Sequence, residues 1–141
     1  LTLSQKVPVS GAIVVTTPQD IALLDAKKGI EMFRKVSVPV LGIVENMAVH
    51  ICSECGHHEH VFGEGGGARM ASNYQVPMLG SLPLSMQIRS QADCGKPVMV
   101  ADPSGDAAAL YRSVAIGMTA ELAKRQRVQS NAFPNISISD D

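Results

Sequence analysis

The chain has 141 residues, 45% of them hydrophobic, which suits one compact domain or a large part of one and excludes disorder of the whole. Its 12 basic and 13 acidic residues leave no single-sign field to gather nucleic acid or an anionic membrane non-specifically, so any partner must be recognised by a built site. Three cysteines, Cys52, Cys55 and Cys94, are too few for a disulfide-stapled secreted scaffold and fit a reducing cytoplasm, and no apolar run approaches the roughly 20 residues that span a bilayer.

Leu1 to Pro8 reads as the interior of a protein, so the chain is expected to be part of a longer one. Gly11 to Thr17 is a β-branched apolar run closed by Pro18 and is expected to form a strand buried on both faces. A helix follows, with Asp20 as the expected cap and Ile21, Leu24, Ile30 and Phe33 as its apolar face. Val38 to Val44 repeats the pattern of a buried strand. Strand, amphipathic helix and strand in so short a span predict a right-handed crossover, and hence an α/β fold with a parallel sheet and flanking helices.

Farther along, the pattern predicts a helix from about Ala68 to Tyr74, a third strand within Val76 to Leu82 and a short helix from Ser85 to Ala92. Asp102 to Asp106 is turn chemistry. The alanine-rich stretch from Ala107 to about Arg127 predicts a long helix with Leu110, Val114, Met118 and Leu122 on one face. Residues 129–141 are polar and are expected to form a disordered tail. So few strands would leave a bare sheet edge, and further strands are expected on the N-terminal side.

Cys52 and Cys55 form a Cys-x-x-Cys pair in a segment that also carries His50, His57, His58 and His60. Such a turn chelates zinc, shares an iron-sulfur cluster or cycles between dithiol and disulfide. Gly56 and the histidines after Cys55 oppose the helical start that a thioredoxin-like dithiol needs. Two thiolates leave a tetrahedral metal half coordinated. Either a histidine completes a zinc site, making the segment a structural or dimerisation module without catalysis, or a second copy donates its own pair to a shared [4Fe-4S] cluster.

In an open parallel sheet, ligands bind beyond the carboxyl ends of the strands, which here are Thr16 to Asp20, Glu45 to Met47 and Pro83 to Ser85. The thiol segment follows Asn46 closely and must lie on or beside the same rim. Gly63 to Ala68 nearly matches the G-x-G-x-x-A dinucleotide fingerprint, but no full strand precedes it. Lys96 follows a glycine and precedes Pro97, so the hydroxyl residue that a phosphate-binding loop requires is missing.

Four segments taken in order resemble a known family: VVTTPQDIALLDAKK from Val14 to Lys28, PVLGIVENM from Pro39 to Met47, HICSECGH from His50 to His57 and LGSLPL from Leu79 to Leu84. Together, over Leu1 to about Leu122, they are similar to the C-terminal half of the Mrp/ApbC iron-sulfur cluster carrier ATPases, relatives of MinD and the nitrogenase iron protein. The resemblance implies that residues 1–128 are the C-terminal portion of a P-loop ATPase domain, with a cluster-binding loop at about 48–62 and the phosphate-handling motifs upstream. It implies an ATP hydrolase when whole, with ATP and Mg2+ as cofactors, and a homodimer that passes its cluster to apo iron-sulfur proteins. Cys52 and Cys55 match the pair that holds the bridging [4Fe-4S] cluster, with zinc as a substitute. Asn46 matches the asparagine that reads the adenine edge, and Pro83 matches the element that lines the adenine. Ser85 stands where many relatives carry an aspartate.

Overall fold

The computed structural model describes residues 6–52 and 54–130, with side chains as far as residue 125. A parallel sheet of order β1-β2-β5 is built from β1 (Ala12–Thr16), β2 (Val40–Glu45) and β5 (Met78–Ser81). Helix α1 (Asp20–Lys35) makes the crossover from β1 to β2, as the spacing predicts. Between β2 and β5 the chain makes an excursion through a two-rung antiparallel hairpin, β3 (His50–Ile51) and β4 (His58–Glu59), and returns through α2 (Gly66–Tyr74). Helices α3 (Met86–Asp93), α4 (Val98–Ala101) and α5 (Asp106–Ser130) complete the described residues. No helix among them is long and apolar enough to cross a membrane.

Strand β2 is central, and all six of its positions are buried. On one face α1 and α2 enclose Val14, Ile30, Val40, Ile43, Met70 and Ala71, with Leu23, Ala26 and Phe33 packed around them. Helix α5 covers β2 and β5 on the opposite face. Full burial of one such aliphatic side chain is worth about 1.5–3 kcal/mol, so this compact cluster sets the position of the strand ends. Arg34 secures the far end of α1 by donating to the Tyr74 carbonyl at 2.9 Å while its guanidinium lies 4.8 Å from the centre of the Tyr74 ring.

Several local expectations are corrected. Strand β1 is covered on one face only: Val14 and Thr16 are buried, but Val15 is 61% exposed because α5 does not extend over it. Gln19, not Asp20, occupies the N-cap of α1, and Asp20 is the first helical residue, where its charge still favours the helix dipole. The buried face of α1 runs through Leu23, Ala26, Ile30 and Phe33, leaving Ile21 73% exposed and Leu24 half exposed. In α5, Ala108 is buried and Leu110 is exposed. That helix continues to Ser130, past the predicted start of the tail, and residues 131–141 lie outside the described residues.

Candidate functional site at the carboxyl rim of the sheet

Asn46 leaves the end of β2 with its backbone N–H donating to the Thr16 carbonyl at 2.7 Å, which binds the rim of β2 to that of β1. Its side-chain Oδ1 accepts the N–H of Met47 at 2.9 Å. Met47 is held at φ 56°, a left-handed conformation that costs a non-glycine residue roughly 1 kcal/mol or more. Among the described residues the Asn46 amide makes no other hydrogen bond, which leaves both N–H donors and one acceptor lone pair for another partner. It opens on a shallow hollow of 460 Å3 lined also by Val15, Thr16, Thr17, Ala22, Asp25 and Ala26. Pro83 is not among the lining residues. It lies half-buried between Leu82, whose carbonyl accepts from Ala48, and Leu84, whose N–H donates to Val49, so it sits at the root of the hairpin.

That hairpin carries the thiols. His50 pairs with Glu59 and Ile51 with His58, and the Cys52 N–H adds a bond to the His57 carbonyl at 2.9 Å. The chain then reverses within a tight turn in which the Gly56 N–H donates back to the Cys52 carbonyl at 2.9 Å. Gly56 stands at φ 70°, a conformation glycine adopts without the cost a Cβ would bring. Cys52 is half-buried and Cys55 exposed, and both are free thiols. The backbone N–H of Cys55, then that of Glu54, then the Cys55 side chain hold the Cys52 thiol below its ordinary pKa, since each favours the thiolate.

Two of the four histidines are turned inward to backbone carbonyls: His60 Nδ1 lies 2.9 Å from Ala48 O, and His50 Nδ1 lies 3.4 Å from Leu84 O. His57 and His58 are exposed. Among the described residues, no group of three or more His, Cys, Asp or Glu side chains is disposed to hold a metal ion. Among the described residues the two thiols stand as a pair with no third such side chain grouped with them.

The glycine run proves to be no phosphate loop. Gly65, in a left-handed conformation, is the N-cap of α2, and the Gly67 N–H is taken by the carboxylate of Glu45 at 2.6 Å. The Glu45 side chain thus takes an N–H at the helix N-terminus where the fingerprint would put a phosphate. Glu45 is only 4% exposed, and its place at the end of an apolar strand marks the rim but names no partner. The signal was present: an acidic residue closing an otherwise apolar central strand is a buried charge that demands a donor.

A ParA family model described as NUBPL iron-transfer P-loop NTPase matches residues 1–119. The chain belongs to this family. Its relatives include the iron-sulfur cluster carrier protein of Pseudomonas fragi, 66% identical over 116 residues that make up 82% of this chain and 40% of that protein. The carrier of Escherichia coli K12 is 57% identical over 86% of this chain and 33% of its own length. The mouse iron-sulfur cluster transfer protein NUBPL is 50% identical over 82% of this chain and 36% of its own. The chain therefore spans well under half the length of these P-loop NTPases. Among solved structures, the nucleotide-binding protein of Archaeoglobus fulgidus in complex with ADP aligns with a TM-score of 0.62 and 32% identity, over 74% of this chain and 42% of that one. The Pyrococcus furiosus cell division ATPase MinD shares the fold, with a TM-score of 0.61 and 22% identity over 79% of this chain and 43% of its own.

Proposed function

We propose that this chain is the cluster-holding and adenine-side portion of an ATP-dependent iron-sulfur cluster carrier. Cys52 and Cys55 from two copies bind one [4Fe-4S] cluster between them and release it to an apoprotein. The observation that carries this reading is the thiol pair at the tip of a hairpin, with Cys55 exposed, Cys52 half-buried and biased toward thiolate, and no third protein ligand grouped with them among the described residues. A four-iron cluster takes four thiolates, which two such hairpins supply. Exposure leaves the cluster open to attack by a recipient's thiols, so transfer proceeds by ligand exchange.

On the nucleotide side, the Asn46 amide has donors and an acceptor available for the adenine edge, and the hollow around it is framed by Thr16, Thr17 and Asp25. Pro83 acts at one remove, since it lies at the root of the hairpin and is not part of the hollow. The sequence contains no G-x-x-x-x-G-K-[ST] motif, so Mg2+ and the ATP phosphates are handled by residues outside these 141. Such a carrier works in a reducing compartment, consistent with free thiols at its tip.

Anaerobic reconstitution with iron and sulfide tests the reading. The expected product is a dimer with about four irons per pair of chains and a broad iron-sulfur absorption, lost in both Cys52→Ala and Cys55→Ala. A strictly monomeric product holding one tight zinc per chain and no iron would refute it and favour a zinc-bound dimerisation or interaction module.

A further inference from the structure

Glu45 stands between the two halves of the site. Its backbone is fixed on both sides, paired with Thr16 of β1 and Ser81 of β5, and its carbonyl accepts the Leu82 N–H at 2.8 Å. Its buried carboxylate reaches sideways to the second residue of α2, where it meets the positive end of a nine-residue helix. The fit is tight: a Cβ on Gly67 would come within 3.1 Å of both Cβ and Oε1 of Glu45.

The position of this bond in the chain gives it consequence. Asn46 is the next residue after Glu45, and Gly67 is where the excursion 46–66 ends. Everything between, including both thiols, is an excursion whose two ends this carboxylate bridges, while backbone bonds from Ala48 to Leu82 and from Leu84 to Val49 hold its first arm to the segment after β5. A second tie, between the His60 ring and the Ala48 carbonyl, closes the same loop nearer the hairpin. Gly65 and Gly63, both at positive φ, lie between the two ties.

We infer that Glu45 is a positioning residue that carries movement of the Asn46 rim to the arm bearing Cys52 and Cys55, so that nucleotide at the rim sets how firmly the thiol turn holds its cluster. The inference rests on the reading given under Proposed function and adds the residue that joins its two halves. A carboxylate that only capped α2 would support the helix equally with and without nucleotide. A coupling element instead makes the hairpin's behaviour depend on nucleotide.

The test uses the cluster-loaded whole carrier, which includes the phosphate-handling residues outside these 141, with Mg-ATP as the probe. Loss of the cluster to an iron chelator is followed by absorbance with and without ATP, and ATP binding is measured separately by calorimetry. In the unsubstituted carrier ATP is expected to change the loss rate by about fivefold or more, the lower end of ordinary coupling. In Glu45→Ala the cluster still loads and ATP still binds, but the ATP effect falls to below about 1.5-fold. Glu45→Gln, which keeps an acceptor for Gly67, recovers part of the response, and Gly67→Ala, which strains the bond from the other side, reproduces the loss. A full ATP response in Glu45→Ala, or ATP binding without any response in the unsubstituted carrier, overturns the coupling and leaves the carrier reading standing. Failure of the unsubstituted whole carrier to load a cluster or to bind ATP overturns the carrier reading, and the coupling with it.

Discussion

Two isoleucines on α1 make a direct test of where the core lies. Helical spacing places both Ile21 and Ile30 on the apolar face, yet Ile30 is fully buried and Ile21 is 73% exposed. Ile30→Ala removes about three carbon groups at about 0.8 kcal/mol each. The cavity left among Val14, Val40, Ile43 and Met70 adds about 24 cal/mol per Å3 of unfilled space. The expected cost is about 3–4 kcal/mol, which at a urea m-value of about 2 kcal/mol per molar lowers the unfolding midpoint by roughly 1.5–2 M. Ile21→Ala removes an equal volume from water-exposed surface and gains a few tenths of a kcal/mol in helix propensity, so it should move stability by less than about 0.5 kcal/mol. Urea titration by circular dichroism reads both. A cost above about 1.5 kcal/mol for Ile21→Ala, or below about 1 kcal/mol for Ile30→Ala, would show that α1 is rotated from the face described here.

Alkylation of Cys52, resolved from Cys55 by peptide fragmentation, should reach its half-maximal rate at a lower pH in the folded chain than in urea, because the N–H groups of Cys55 and Glu54 favour the thiolate. The sign is that of a depressed pKa: the thiolate's contribution to folding is present above the unfolded thiol pKa and lost as pH falls through the folded one, and equal midpoints would deny that these donors reach the sulfur. His60→Ala removes the ring contact to the Ala48 carbonyl and should cost about 0.5–1.5 kcal/mol locally. Hydrogen exchange should then quicken at the Cys52 and Gly56 amides while β2 stays protected, and unchanged hairpin protection would contradict this. The purified chain by itself should show no Mg2+-dependent ATP hydrolysis, and turnover that disappears in Asn46→Ala would overturn the assignment of phosphate handling to residues outside it.

The parallel sheet and the order of its elements were legible because β2 is apolar at nearly every position and α1 has a charged outer face, two patterns that local physics fixes. The Cys-x-x-Cys pattern was equally plain, and the structure places Cys52 and Cys55 at the end of one hairpin. Which residues of α1 face inward was not, because Ile21 and Leu23 are both apolar and only the approach of α2 decides between them. Periodicity also could not show that Val15 lacks cover, as that depends on how far α5 extends across the sheet. The role of Glu45 stayed hidden because its partner is a backbone N–H, which has no side-chain signature. The inward turn of His60 toward Ala48 escaped for the same reason.

The hairpin beneath the thiols has only two rungs, and its exposed residues lend little to the packing under the sheet. In small zinc domains metal binding is itself the folding energy, and a chelator denatures them. On the proposed reading the load rests on an outrigger, so an empty molecule and a full one would share the same hull. Cargo would then be taken on and surrendered without either vessel coming apart, and the apo protomer left after a chelator strips the iron should still melt as a folded unit.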